Sequence, residues 1–193
     1  MYQSIKNGVW ALFLVAVLSS CNQGETLQRY YVNNQETPNF ISLDIPVSFV
    51  SIENIDLTEE QREAYESIDK LNMLGYTLSD DNLEEYTAEL AQVNEILKDE
   101  RYEELFRGGN SKDGRVVIKY IGTDTTIDEL IIFGSAKDRG FAIIRVLGDK
   151  MEPMKIMKLG DVINKLETEE NDVQNFMDFF NTGSGIELDS IGI

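Results

Sequence analysis

The chain of 193 residues carries 35 acidic and 17 basic residues, no histidine and one cysteine, for a formal net charge of −18. Without histidine there is no imidazole general base, no Ser-His-Asp triad and no histidine-ligated zinc or haem. Nucleic acid and anionic lipid head groups are unfavourable partners, because binding either depends on Lys and Arg neutralising phosphate.

In chain order, Lys6 lies beside the amino terminus, and Val9 to Leu18 (VWALFLVAVL) then runs ten residues without a polar side chain. A helix that crosses the hydrocarbon core needs roughly 20 apolar residues, so this run is too short to span and fits the apolar region of a secretory signal. Leu18-Ser19-Ser20-Cys21 resembles a bacterial lipobox. That resemblance implies cleavage between Ser20 and Cys21 and transfer of diacylglycerol to the Cys21 sulfur, a step that needs a thiol to form the thioether. An ordinary cleaved signal or a buried core cysteine is the plainer reading, but the position, the spacing and the flanks all favour lipidation. With Cys21 committed to lipid, no thiol remains as nucleophile, disulfide partner or metal ligand.

Residues 1–20 are thus expected to be a lipoprotein signal peptide and 21–26 (C-N-Q-G-E-T) a polar tether. All 35 acids and 16 of the 17 bases follow Cys21, so the processed chain has a net charge of −19. The plain meaning of that charge is a hydrated, soluble surface; a cationic partner, or calcium held by carboxylates, is the sharper one. Asn22 stands where one sorting rule places the aspartate that retains lipoproteins in the inner membrane, so the outer membrane is the expected destination. Among residues 22–26, directly after the cysteine, only Glu25 is acidic, so there is no acidic run of the kind that suggests export to the cell surface, which favours the periplasmic face.

Phe40–Ile45 alternates apolar and polar residues and predicts a short strand. Pro46 follows where a helix can begin, with Val47, Phe49, Val50 and Ile52 inward. Thr58-Glu59-Glu60-Gln61 is a capping box, and the helix it opens is expected to carry Ala64, Ile68 and Leu71 on its apolar side. Met73–Leu78 reads as a strand. Ser79-Asp80-Asp81 opens a second helix with acids at its positive end. Its stripe is Leu83, Tyr86, Leu90, Val93 and Leu97, which reads as a helix lying on a sheet, since two heptads are too few for a coiled coil. Tyr102, Leu105 and Phe106 read as an amphipathic turn.

Three strands follow at 115–121, 127–133 and 141–147, joined by short glycine-containing links that suit antiparallel pairing. In the last of them apolar side chains fall on both faces, so both are expected to be covered. Pro153 introduces a final helix with Ile156, Leu159, Ile163 and Leu166 inward. The domain is therefore placed at 27–166: an α+β fold with a mainly antiparallel four-stranded sheet, made of the Met73 strand and the three later ones, and helices packed on it. Residues 167–193 hold seven acids and no base and are expected to be a mobile acidic tail. Val173, Phe176, Met177 and Phe180 make one apolar helical face within it, either a docked terminal helix or a motif that folds onto a partner.

Gly109 to Arg115 (GNSKDGR) has the glycine spacing of a phosphate loop, but Arg-Val replaces Lys-Ser/Thr and a strand follows it. As a calcium hand it would place Gly109 and Tyr120 at ligand positions. Asp80/Asp81 and Glu84/Glu85 are pairs of the kind glycosidases use, yet 35 acids produce such pairs by chance and no apolar pocket can be assigned to raise one pKa.

LQRYYVNNQETPNFISLDIP, YEELFRGG and IDELIIFGSAKDRGFAIIRVLGDKMEPMKIMKL resemble the domain of unknown function 4252 family, whose members are mostly Bacteroidota-type envelope lipoproteins. The likeness spans about Leu27 to Leu166 and rests on Phe40, Ile45-Pro46, Tyr102, Leu105, Glu129-Leu130 and Gly148-Asp149. The resemblance implies an α+β domain on a lipid anchor and brings no activity, cofactor or metal. It also suggests envelope stress or sigma/anti-sigma signalling, through proximity to regulator genes. The expected function is a non-catalytic binding or interaction module, held at the membrane by lipid on Cys21, with an envelope protein as partner and no nucleic acid. The competing enzyme reading is a carboxylate-dependent hydrolase.

Overall fold

A computed structural model describes residues 24–49, 52, 55–110 and 114–159. Four α-helices and six strands follow one another along it: α1 Leu27–Asn34, β1 Phe40–Pro46, α2 Glu59–Glu66, β2 Ile68–Thr77, α3 Leu83–Ile96, β3 Glu103–Asn110, β4 Gly114–Gly122, β5 Ile127–Ala136, β6 Gly140–Met151 and α4 Pro153–Met157. Helices and strands alternate up to β3, and β3 to β6 then run as four consecutive strands. A single 3-10 turn, Val47–Phe49, follows β1.

The strands form one antiparallel sheet in the order β1-β2-β6-β5-β4-β3. The α+β architecture and the consecutive antiparallel strands agree with the sequence reading; the strand count does not, since the sheet has six strands where four were expected. β1 was legible as a strand but not as a member of this sheet, where it pairs with β2. Leu105 and Phe106, expected in an amphipathic turn, belong to the strand β3, and their adjacency breaks a period of two. A bulge between Glu104 and Phe106 accounts for this, and both side chains pack against the same apolar cluster.

The helix from Thr58 is also shorter than its sequence suggests. The capping box is present, but α2 ends at Glu66 and Ile68 already belongs to β2. A register shift between Ile68 and Lys70 masks the strand alternation there and leaves the spacing of Ala64, Ile68 and Leu71 looking helical. Gly148 explains the junction: a Cβ on it would lie 2.0 Å from the Ser67 carbonyl, which accepts the Asp149 amide at 3.1 Å. After Pro46 the chain makes only the 3-10 turn, and Val47 packs under the sheet. On α3 the inward stripe is Tyr86, Val93, Ile96 and Leu97, while Leu83 at the first turn is 59% exposed.

Helices pack on both faces of the sheet, as the mixed pattern of β6 implies, though among the described residues those on the second face lie over one end of it. On the first face α1 and α3 lie over Leu74, Tyr76, Val117, Ile131, Phe133, Phe141 and Ile143. On the second, Ala64 of α2, Ile156 of α4 and Leu159 pack against Ile68, Tyr120, Leu130, Val146 and Met151. Pro153 starts α4, as expected, because its missing N–H costs nothing there. Among the described residues no helix is long and apolar enough to cross a membrane. The expected roles of Ser20, Cys21, Val50, Ile163, Leu166, Val173, Phe176, Met177 and Phe180 lie outside the described residues.

Candidate functional site

The described chain begins at Gly24 and enters the first face at once, with Glu25 and Thr26 of the expected tether already bonded to the domain. Thr26 caps α1, its hydroxyl accepting the Arg29 amide at 3.2 Å. Leu27 is buried, and its own amide, one of the donors a helix start leaves without a partner, is taken by the Tyr102 hydroxyl at 3.0 Å. Glu25 accepts a hydrogen bond from Gln92 of α3 at 2.6 Å. One turn on, the Tyr30 hydroxyl donates to Glu89 at 2.6 Å, and its ring meets Phe40 edge-on. Burial and the neighbouring Glu89 carboxylate both push the Tyr30 phenol far above its ordinary value.

Beneath α1 a polar row crosses the whole sheet in register: Asp44, Asn72, Arg145, Ile131, Lys119 and Glu104, one residue from each strand. Arg145 and Glu129 are 4% and 8% exposed and form a two-pronged ion pair at 2.6 and 3.0 Å. Two parallel N–H···O bonds fix both planes and offset part of the cost of desolvating the charges. The Lys119 ammonium donates to the Tyr102 carbonyl at 2.7 Å, and burial holds its pKa below the usual lysine range. At the row's ends Asp44 pairs with Lys70 at 3.7 Å and Glu104 with Arg107. Burial raises the pKa of Tyr31 and Tyr102; the Asp44 charge adds to the first shift and Glu129 to the second.

Tyr102 is therefore a two-sided joint. Its hydroxyl takes the first amide of α1, and its carbonyl takes the buried lysine of β4. Arg145, Glu129, Lys119 and the Tyr102 hydroxyl were not singled out together by the sequence reading. The available signal was charge inside apolar strands: Arg145 in AIIRVL, Asp128 and Glu129 in IDELII, and Lys119 in VVIKYI. A charge at the centre of a strand covered on both faces needs a partner; the neighbouring strand supplies it for Arg145 and Glu129, and the Tyr102 carbonyl just before β3 supplies it for Lys119.

The near-miss motifs fall elsewhere. Asp80 and Asp81 occupy the exposed turn before α3; Glu84 and Glu85 lie in its first turn, where Glu85 accepts from Asn39 at 3.2 Å. Gly109 to Arg115 spans the β3–β4 hairpin, joining two paired strands, with Gly109 at φ +80. Among the described residues no group of three or more His, Cys, Asp or Glu side chains could hold a metal ion.

Several positions that carry the family resemblance have physical reasons in this geometry. Phe40 joins the aromatic cluster, Ile45 is buried, Tyr102 is the joint under α1, Glu129 holds Arg145, and Gly148 lets β6 pass Ser67. No curated protein and no solved structure matches the chain. The family described as a domain of unknown function, DUF4252, matches residues 30–159, and the chain belongs to it.

Proposed function

We propose that this chain is a lipid-anchored, non-catalytic binding module of the bacterial cell envelope, tethered to the outer membrane through Cys21 and facing the periplasm. The observation that carries the reading is how soon after Cys21 the chain is held. Five residues separate Cys21 from Leu27, six Cα-to-Cα steps, and the Leu27 amide is bonded to Tyr102 under α1. At about 3.3–3.6 Å per extended residue that is a reach of roughly 20 Å. A lipid on Cys21 would hold the domain close to the bilayer, with the start of α1 toward it. Two or more acyl chains give stable anchoring, and they would keep a strongly anionic domain at a surface it otherwise avoids.

Replacing Cys21 with Ala should move the protein from the membrane fraction to the soluble one. Retention in membranes after an alkaline wash would show that something other than a lipid on Cys21 holds it. Affinity capture of the native protein from intact cells then tests the binding role: recovery of lipid and neighbouring lipoproteins alone would leave no partner for the module.

A further inference from the structure

The second face of the sheet is built from two halves with different cover. Toward α2 and α4, the ends of β2 and β6 lie under Ala64, Ile156 and Leu159. The other half holds Leu43, Met73 and Ile144 in one register row and Ile41, Gly75 and Ala142 in the next. Met73 is 4% exposed and Ala142 0%, yet the apolar cluster around them, with Ile45, Leu43 and Ile144, draws only on strand residues among those described. Ile41, at the β1 edge of the same surface, is 53% exposed. A flat aliphatic half-face next to a finished one is a surface that something covers.

We propose that the cover is this chain's own carboxy-terminal segment, residues 163–180, laid across that half-face with Val173, Phe176, Met177 and Phe180 turned toward it. Chain continuity favours this occupant. Leu159 is buried on this same face, and 34 residues follow it. The open rows lie at most four strand residues beyond the covered end, about 13 Å at the rise of a strand. Fourteen residues lead from Leu159 to Val173, and even fully helical they cover about 21 Å. The spacing of Val173, Phe176, Met177 and Phe180 gathers four apolar side chains on one side of a helix, with Asp178 on the other. The open end also carries Lys137 and Arg139 in the β5–β6 turn, flanking Asp138 and in no ion pair with any described residue, opposite a segment with Glu167, Glu169, Glu170 and Asp172. The half-face is then an interaction surface already occupied in cis, which any external partner must share or displace.

The test is a photo-reactive residue at Ile41 of the full chain, with mass-spectrometric mapping of the cross-links. Intramolecular cross-links to residues 163–180 are expected, and Phe176→Asp with Phe180→Asp should abolish them while speeding amide exchange along β1. Cross-links to residues 9–18, cross-links between differently labelled copies, or the absence of any to 163–180 would overturn the proposal. So would unchanged cross-linking and exchange in the double aspartate variant.

Discussion

On the first face of the sheet, ring packs on ring. Phe40 meets Tyr76 edge-on at 4.9 Å, Tyr76 stacks on Phe141 at 5.5 Å, and Phe141 touches Tyr86 and Phe133. Beside the rings runs the polar row with its buried Arg145–Glu129 pair, and two helices of eight and fourteen residues lie above. The second face is mainly aliphatic, with Tyr120, Tyr65 and Phe106 among its Ile, Leu, Val and Met side chains, and α2 and α4, of eight and five residues, cover one end of it. Aliphatic side chains pack by volume and accept more than one arrangement. Rings with hydroxyls and a paired arginine accept few. The first face therefore fixes strand register and seats α1, while the second supplies bulk burial.

Alkaline titration should break this contrast open most completely. Tyr30, Tyr31, Tyr76, Tyr86 and Tyr102 of the first face all have raised pKa values, with burial the leading cause in each; that of Tyr76 is pushed up to about 12. A phenol whose folded pKa lies above its unfolded value near 10 keeps its proton longer in the folded state. Its contribution is complete below about pH 10 and is lost as pH rises through the folded value. For Tyr76 that window runs from 10 to about 12. Phenolate absorbance and circular dichroism should therefore change together in one steep transition. Smooth ionisation near pH 10 with the dichroism intact would mean these hydroxyls are not sealed.

Core truncation comes next. Phe141 is fully buried among four rings, so Phe141→Ala should cost about 3–5 kcal/mol in urea denaturation. Ile144→Ala on the half-buried second face should fall at the low end for its type, about 2 kcal/mol. Equal losses would erase the distinction between the faces. The ion pair gives a sharper version. Glu129→Leu alone strands a buried guanidinium and should cost about 3–5 kcal/mol, whereas Glu129→Leu with Arg145→Met should recover most of it. A double variant as unstable as the single one would mean the pair does more than neutralise itself.

The same contrast explains what could be read from the sequence. Where strands alternate cleanly or run continuously apolar, as in β4, β5 and β6, their position and antiparallel sense were legible. Where a bulge adds a residue, as at Leu105 in β3 and between Ile68 and Lys70 in β2, periodicity misleads, because register is a pairwise property and not a property of one strand. The polar joint was hidden for a related reason. Arg145 and Glu129 are 16 residues apart, and only the offset of β5 against β6 brings them together. The Tyr102 hydroxyl reaches an amide 75 residues away, which no local pattern announces.

The smallest expected effect lies on the second face, at the one joint there that the sequence did announce. The Thr58 hydroxyl accepts the Gln61 amide at 3.3 Å, and the Gln61 side-chain oxygen accepts the Thr58 amide at 3.0 Å. The same Gln61 side chain donates to the Lys158 carbonyl at 3.1 Å, tying α2 to the end of α4. Thr58→Ala removes one cap acceptor at an exposed helix start, where water can replace it, so the cost should be about 1 kcal/mol. Thr58→Ser should be close to neutral. Because Gln61 keeps its bond to Lys158 in either variant, amide exchange should quicken in the first turn of α2 and leave α4 unchanged. If Thr58→Ala instead destabilises the domain as much as Glu129→Leu, the short helices of the second face are held by polar specificity after all. The division of labour between the two faces would then have to be abandoned.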